Sequence, residues 1–463
     1  MGSEVCPPYG GCDGVEHWEL EDDLQRRYRV MDIGKILASG CALGLWAGLW
    51  PPEAQGDLRD YVGRAEPEFR WEKLQETKQG NVTVYDLQMV SQVWRGIRWQ
   101  HRIQVFRPDK LEFPKTMLLV ITGGGPGRDA VGYGCMLANA LGAAGAALYQ
   151  IPNQPLFDGL KEDHLIAHTF VKLLETKEKD WPLLLPMTKS AVKAMDVLQA
   201  FSEKEWGEKA EGFVVTGASK RGWTTWLTAA ADERVRAIAP MVYDNLNLPA
   251  QMRHQREVYG GYSEQIAPYI QRGLTELAET DQGRPLVEAV DPYSFRERLK
   301  LPKLIINGTN DRYWTLDSLN LYWNDLAGEK HVLYAPNCGH GLQDIMRVIN
   351  TSVAFFRHVA AQKPFVKLAW THEATEGATR LSVTSDAEPM EMRLWAARSA
   401  TKDFRDARWE STVMSRAGNP GRAFTGEMAR PADGFAACFG EAVYLQDGQS
   451  FTLSTTIRVC GGL

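Results

Sequence analysis

Two rhythms of apolar and polar residues run through the chain between residues 81 and 363. Residues 81–94 and 99–107 alternate apolar with polar side chains, which predicts two strands of an antiparallel hairpin at the edge of a sheet. Residues 116–122 are instead a short, continuous apolar run and 213–217 open with an apolar, β-branched one, and 146–151, 235–242, 302–307 and 331–335 are further short, mostly apolar segments. Runs of that kind are strands covered on both faces. Between them, residues 162–177, 187–202, 223–231, 316–326 and 343–361 read as helices. Parallel neighbours need crossover helices, so this order predicts a doubly wound, mostly parallel sheet whose ligands bind at the carboxyl ends of the strands.

Two segments break the rhythm. Residues 245–290 are polar and aromatic with Tyr259-Gly260-Gly261-Tyr262 inside, and they are expected to form a helical insertion covering the cleft. From Pro364 short alternating runs at 366–370, 379–385, 390–397 and 451–459 replace the strand–helix order, which predicts a β-sandwich-like domain over 364–463. The α/β domain then spans 57–363. The 463 residues are ample for one large α/β domain and a smaller one.

Upstream, Met31-Asp32-Ile33-Gly34-Lys35 precedes an apolar stretch over 36–50 that ends in Pro51-Pro52. This pattern resembles a secretory signal starting at Met31, with residues 1–30 as an extension, and it predicts an exported (periplasmic or secreted) protein. Two alternatives tie the chain to a membrane: lipidation at Cys41, or an uncleaved anchor. A net charge of −6 without a basic cluster argues against a nucleic-acid partner. The seven cysteines contain no C-x-x-C pair, and spacing alone does not decide whether Cys438 and Cys460, which flank the last strands, are bridged. His164 and His168 stand one helical turn apart without the Glu of an H-E-x-x-H motif or a further ligand cluster, so they read as packing or surface residues and no metal or other cofactor is expected.

The candidate chemistry centres on Gly217-Ala218-Ser219-Lys220-Arg221-Gly222, where an apolar run turns sharply into a helix. Such a turn lifts the serine oxygen above the sheet edge, although Arg221 stands where G-x-S-x-G has its second glycine. A helix-capping serine is the alternative. Acyl transfer also needs a base and a carboxylate to orient it, in the chain order Ser, Asp, His when strands of this fold carry them. Asp311 follows the strand at 302–307, and His340 lies in Asn337-Cys338-Gly339-His340-Gly341 after the last strand. Asp317 is the reserve carboxylate. Oxyanion donors are expected from the backbone N–H of Lys220 and from Gly124 or Gly125 in the run Gly123-Gly124-Gly125-Pro126-Gly127. The Lys220 ammonium either contacts substrate or pairs with a nearby acid. Arg221 is expected to pair across the elbow, and Tyr243, Tyr262, Tyr313 and Trp314 are candidates for a substrate-pocket wall.

Several blocks, Val90-Ser91-Gln92-Val93-Trp94, Gln150-Ile151-Pro152-Asn153-Gln154-Pro155, the stretch Trp181-Pro182-Leu183-Leu184-Leu185-Pro186-Met187-Thr188-Lys189-Ser190-Ala191, and the elbow itself, resemble the PhoPQ-activated pathogenicity-related protein family from about residue 58 onwards. The resemblance implies an α/β-hydrolase fold with an elbow of the G-x-S-K-R-G form. A looser likeness to glucuronoyl esterases, in which a cation beside the serine assists the oxyanion, leans the reading towards esters. The expectation is an exported serine hydrolase acting on an ester or amide of a small-molecule, carbohydrate or peptide-linked substrate, against a binding or signalling protein that keeps the fold without turnover.

Overall fold

Alternation at the start of the chain becomes an antiparallel edge in the computed structural model, which describes residues 58–418, 422–446 and 448–461. The export signal, the extension before it and Cys41 lie outside the described residues. A short helix α1 (Leu58–Gly63) precedes strands β1 (Arg70–Gln79), β2 (Val82–Trp94) and β3 (Ile97–Pro108). The turn between β2 and β3 is Arg95-Gly96, both at positive φ (53° and 74°), the left-handed pair that a two-residue hairpin requires. Strand β1 was not expected, because its residues are mostly polar and exposed; as the outermost strand it needs only one dry neighbour and its charges discourage further pairing.

The buried runs become β4 (Thr116–Ile121), β5 (Gly145–Leu148), β6 (Gly212–Ala218), β7 (Val235–Met241), β8 (Lys303–Gly308) and β9 (Lys330–Ala335). They lie in the order β1-β2-β3-β5-β4-β6-β7-β8-β9, parallel from β5 to β9. With β1 set aside as an addition, this is the α/β-hydrolase strand order. The crossovers are α2 (Ala130–Leu141), α3 (Glu162–Thr176), α4 (Leu184–Trp206) and α5 (Lys220–Ala231), with α6 (Leu248–Tyr259) opening the insertion and α7 (Ile345–Ala360) following β9.

Three expectations are corrected here. Helix α2 was not foreseen, since Ala-Val-Gly-Tyr-Gly-Cys-Met-Leu-Ala-Asn-Ala-Leu carries two glycines and little apolar periodicity. The helix expected over 316–326 is two short 3₁₀ turns, Ser318–Leu321 and Trp323–Asp325, because Leu319 and Tyr322 are buried at a spacing of three, which suits three residues per turn. The run at 451–459 divides into two strands.

The C-terminal strands are β10 (Leu368–Thr375), β11 (Ala378–Ser385), β12 (Glu391–Ser399), β13 (Glu410–Val413), β14 (Ser415–Arg416), β15 (Ala423–Ala429), β16 (Phe435–Gln446), β17 (Gln449–Ser454) and β18 (Arg458–Gly461). Strand β17 pairs with β9 through Ser454 and Val332, so β17, β16, β12 and β13 continue the central sheet. The second sheet, β10-β11-β15-β14, covers them face to face, with Leu381, Val383, Phe424 and Met428 in one core with Met392, Leu394, Cys438 and Ala442. The expected sandwich is therefore present, but one of its layers is an extension of the central sheet, and the described chain is a single compact unit. Strand β16 was missed because its residues are buried on both faces and do not alternate. Cys438 and Cys460 are buried free thiols on β16 and β18.

Candidate active site

The serine turn is strained. Strand β6 ends at Ala218, α5 begins at Lys220, and Ser219 between them has φ 57° and ψ −126°, a backbone conformation that L-residues adopt at a cost of about 1–3 kcal/mol. Neighbouring structure holds it there: the Ser219 N–H donates to the Met241 carbonyl at 2.9 Å. The displaced glycine has a steric reason. A Cβ at Gly222 would lie 2.8 Å from the Met241 carbonyl oxygen, and one at Gly217 would lie 2.7 Å from the Arg221 carbonyl oxygen. These two glycines let α5 descend directly from β6 against β7.

Arg221 does not intrude on the turn, because its side chain folds away from it. Its Nε donates to the Ile151 carbonyl at 2.6 Å, and its two terminal nitrogens reach the two Glu162 carboxylate oxygens at 2.9 and 2.7 Å. The guanidinium lies over Gly123, where a Cβ would sit only 2.1 Å from it. Lys220 is paired as well, with Glu162 at 2.9 Å and Asp163 at 3.1 Å. Burial opposes ionisation of Glu162, but the Arg221 hydrogen bonds and the charges of both cations outweigh it and hold the carboxyl down at about 2. Of the two sequence readings for the Lys220 ammonium, the structure displays the ion-paired one. Its backbone N–H remains one of the first-turn donors of α5, which have no partner within the helix.

Asp311 and His340 meet at the same edge of the sheet. His340 Nδ1 lies 2.7 Å from Asp311 Oδ2, while Asp311 Oδ1 accepts from the Tyr313 N–H at 2.9 Å. The Tyr313 ring stacks on the imidazole with centroids 4.2 Å apart. A proton held on Nδ1 by the carboxylate leaves the lone pair on Nε2, and that atom is buried with no hydrogen-bond partner. Ser219 is thus not hydrogen-bonded to His340 in this state. Asp317 is occupied elsewhere, at 2.6 Å from His254 Nε2.

Beside Ser219 a pocket with about 750 Å³ of empty space, its mouth included, opens beneath the insertion. Tyr243, Tyr313 and Trp314 line it as the sequence suggested. Tyr262 is not among the lining residues; its hydroxyl pairs with Arg256 at 2.7 Å on the exposed side of the insertion. Phe170, Trp223, Tyr269 and Asn245 belong to the lining and were missed, since helix periodicity marks a buried face without saying which cavity it borders. The loop bearing Gly124 and Gly125 leaves β4 next to the elbow, and the Gly124 carbonyl accepts from the Gln150 N–H at 3.1 Å. Among the described residues no group of three or more His, Cys, Asp or Glu is disposed to hold a metal ion.

The sequence blocks singled out above converge in space. Gln92 donates to the Pro186 carbonyl and the Ser190 hydroxyl at 2.7 and 3.0 Å, and Trp94 Nε1 donates to the Asp180 carbonyl at 2.9 Å. Gln154 accepts from the Glu162 N–H at 2.8 Å, and Ile151 accepts from Arg221, so the second block braces the elbow.

The model of the PhoPQ-activated pathogenicity-related protein family matches residues 58–405. Autocrine proliferation repressor protein A of Dictyostelium discoideum is 30% identical over 442 residues, covering 87% of this chain and 88% of that protein. Among solved structures, acetyl xylan esterase 1 from Thermoanaerobacterium sp. JW/SL YS485 is similar over 65% of this chain and 93% of its own, at 15% identity and a TM-score of 0.45. A glucuronoyl esterase from Solibacter usitatus is similar over 64% and 87%, at 12% identity and a TM-score of 0.40. With a family match across most of its length and a relative aligned nearly from end to end, the chain belongs to the PhoPQ-activated pathogenicity-related protein family.

Proposed function

We propose that this chain is an exported serine hydrolase that cleaves an ester or amide through an acyl-enzyme, with an ester as the preferred bond. The observation that carries the reading is a strained serine at a strand–helix elbow, together with a histidine at the same sheet edge whose Nδ1 is tied to Asp311 and whose Nε2 lone pair is buried and unpartnered. Ser219 Oγ attacks the carbonyl carbon while its proton passes to His340 Nε2. The tetrahedral oxyanion takes hydrogen bonds from the backbone N–H of Lys220 and of Gly124 or Gly125. Its collapse expels the leaving group, which receives the proton from His340. Water, deprotonated by the same imidazole, then attacks the acyl-serine and releases the acid. Proton transfer requires Ser219 Oγ and His340 Nε2 to come into hydrogen-bond contact when substrate binds, a tightening that free enzymes commonly make. Export rests on the apolar stretch after Met31.

The test is labelling of the protein by a fluorophosphonate, followed by hydrolysis of an activated ester. Ser219→Ala is expected to abolish labelling and to lower turnover by about 10³-fold or more. A variant that keeps full turnover overturns the assignment. A second reading, a binding or signalling protein without turnover, is favoured by the missing Ser219–His340 hydrogen bond and by the name of the Dictyostelium relative. A folded wild-type protein that resists the fluorophosphonate supports that reading instead.

A further inference from the structure

The insertion supplies most of the lining of the pocket beside Ser219, and it supplies chiefly hydrocarbon. Met252, Ile266, Leu274, Leu286 and Val290 line the pocket from there, each no more than 6% exposed. The remaining wall includes Phe170 and Trp223, which meet edge to face with centroids 5.9 Å apart. The polar groups of the lining are largely engaged with the protein. Asp163 pairs with Lys220 at 3.1 Å and accepts from the Tyr269 hydroxyl at 3.0 Å, and Lys220 has Glu162 at 2.9 Å as its second partner. The Thr275 hydroxyl donates to Glu276 at 2.8 Å, and the Tyr243 hydroxyl is bonded to the Asn245 amide. A guest carboxylate therefore finds no cation without a counter-ion among the lining residues, and the hydroxyls of a sugar would leave water for walls that offer them little in return. A hydrocarbon chain loses nothing on entering and removes apolar surface from water.

The placing of the two catalytic side chains says which half of an ester enters. Ser219 and Lys220 are lining residues of this pocket, and His340 is not. The leaving-group oxygen must receive its proton from His340, so the alcohol half of the substrate departs on the histidine side. The half that remains on the serine is the one left for the pocket.

We propose that the pocket beneath the insertion holds the acyl half of the substrate, and that this half is an uncharged hydrocarbon group longer than acetyl. The proposal rests on the hydrolase reading above and names the substrate class of the same site. The insertion is then the specificity element, because it supplies the apolar wall while the elbow and the strand ends supply the chemistry. Val287 and Ala278, two half-buried lining residues, border the space that the acyl chain fills.

Initial rates on three sets of esters test this. With 4-nitrophenol as the common leaving group, kcat/KM is expected to rise at least about tenfold from acetate to hexanoate. The 4-nitrophenyl monoester of adipic acid, which has the hexanoate length but ends in a carboxylate, is expected to fall at least about tenfold below hexanoate. Methyl hexanoate and pentyl acetate are isomers with the chain on opposite sides of the ester, and the first is expected to be cleaved at least about tenfold faster. Val287→Phe and Ala278→Phe, which add bulk at two separate half-buried positions, are each expected to lower the hexanoate-to-acetate ratio at least about fivefold; if one does not fold, the other decides. A flat chain-length series, adipate matching hexanoate, pentyl acetate outpacing methyl hexanoate, or a ratio untouched by a folded pocket variant overturns the proposal. Labelling separates the two claims. If Ser219 reacts with a fluorophosphonate and the chain preference is absent, this inference alone fails. If Ser219 does not react and no ester is cleaved, the hydrolase reading fails and titration calorimetry decides the pocket. Methyl hexanoate binding at least about tenfold more tightly than methyl acetate and monomethyl adipate then supports a site for a hydrocarbon chain, and equal affinities overturn it.

Discussion

The most informative single residue after the serine is Arg221, because it occupies the place of the second glycine in G-x-S-x-G. Its guanidinium leaves the turn, ties the Ile151 carbonyl and Glu162 to α5, and lies across Gly123. Arg221→Ala is expected to lower stability by about 2–3 kcal/mol in urea unfolding, less than for a fully enclosed pair because Glu162 stays partly open to solvent. Gly123→Ala should produce a loss in the same direction by displacing the guanidinium, whereas Gly124→Ala, with nothing within 4 Å of its Cβ, should stay within about 0.5 kcal/mol of the wild type. The pH dependence has a definite sign. Glu162 in the folded chain sits at about 2, below its ordinary value of 4.5, so its pairing stabilises the fold above about pH 4.5 and is lost as the pH falls towards 2. Arg221→Ala is expected to flatten that acid limb of the stability profile, and an unchanged limb would show that Lys220 alone holds the carboxylate.

At the scale of elements, the insertion is held by many polar contacts to the rest of the fold, among them those from Gln255, Tyr259 and Ser263 to the backbone of Arg312–Trp314 and the two that follow. Asp291 accepts from the N–H groups of Leu248 and Tyr293 at 2.7 and 2.9 Å, closing the insertion at its base. His254 on α6 reaches Asp317, in the segment that carries the 3₁₀ turns, and its other nitrogen lies 3.7 Å from Glu257. The hydrogen bond to Asp317, opposed by burial, raises the His254 imidazole above its usual range. A raised histidine contributes stability that is complete below about pH 6.5 and disappears as the pH climbs through the folded value. Hydrogen exchange of α6 should therefore quicken on going from pH 6 to pH 8 beyond the intrinsic rise in exchange rate. Asp317→Asn should remove that excess and lower the thermal midpoint at pH 6 by a few degrees. Protection of α6 that follows only the intrinsic rate would mean that apolar packing, and not this pair, secures the helix.

For the molecule as a whole, the joint between the strand–helix region and the β-rich region decides how it unfolds. Strand β17 lies against β9, Phe365 stacks on Phe451 with centroids 5.3 Å apart, and Phe355 and Phe356 are fully buried in the same core. The Arg347 guanidinium is bonded to Glu441, whose side chain is wholly buried. A chain ended after residue 363 is therefore expected to aggregate or to lack a cooperative transition, since it would bare the β9 edge and this apolar face. The full chain should unfold in one step in urea, followed by tryptophan fluorescence and circular dichroism. Two separated transitions would make the C-terminal strands an independent domain.

What the sequence alone determined is whatever local pattern encodes. Two-sided burial makes a strand of 116–122 a continuous apolar run, the serine turn needs its glycines, and the order of Ser219, Asp311 and His340 follows from where strands end. Chain order also placed Tyr313 and Trp314 immediately after Asp311, hence near the imidazole. Tertiary structure decided the rest, because it depends on which distant surfaces meet. Only the packed sheet joins β17 to β9, sends Lys220 to Glu162 and Asp163, keeps Tyr262 out of the pocket and gives Asp317 to His254. The physical reason is range: periodicity and turn chemistry act over a few residues, whereas the partner of a charge or an aromatic ring is set by segments far away along the chain.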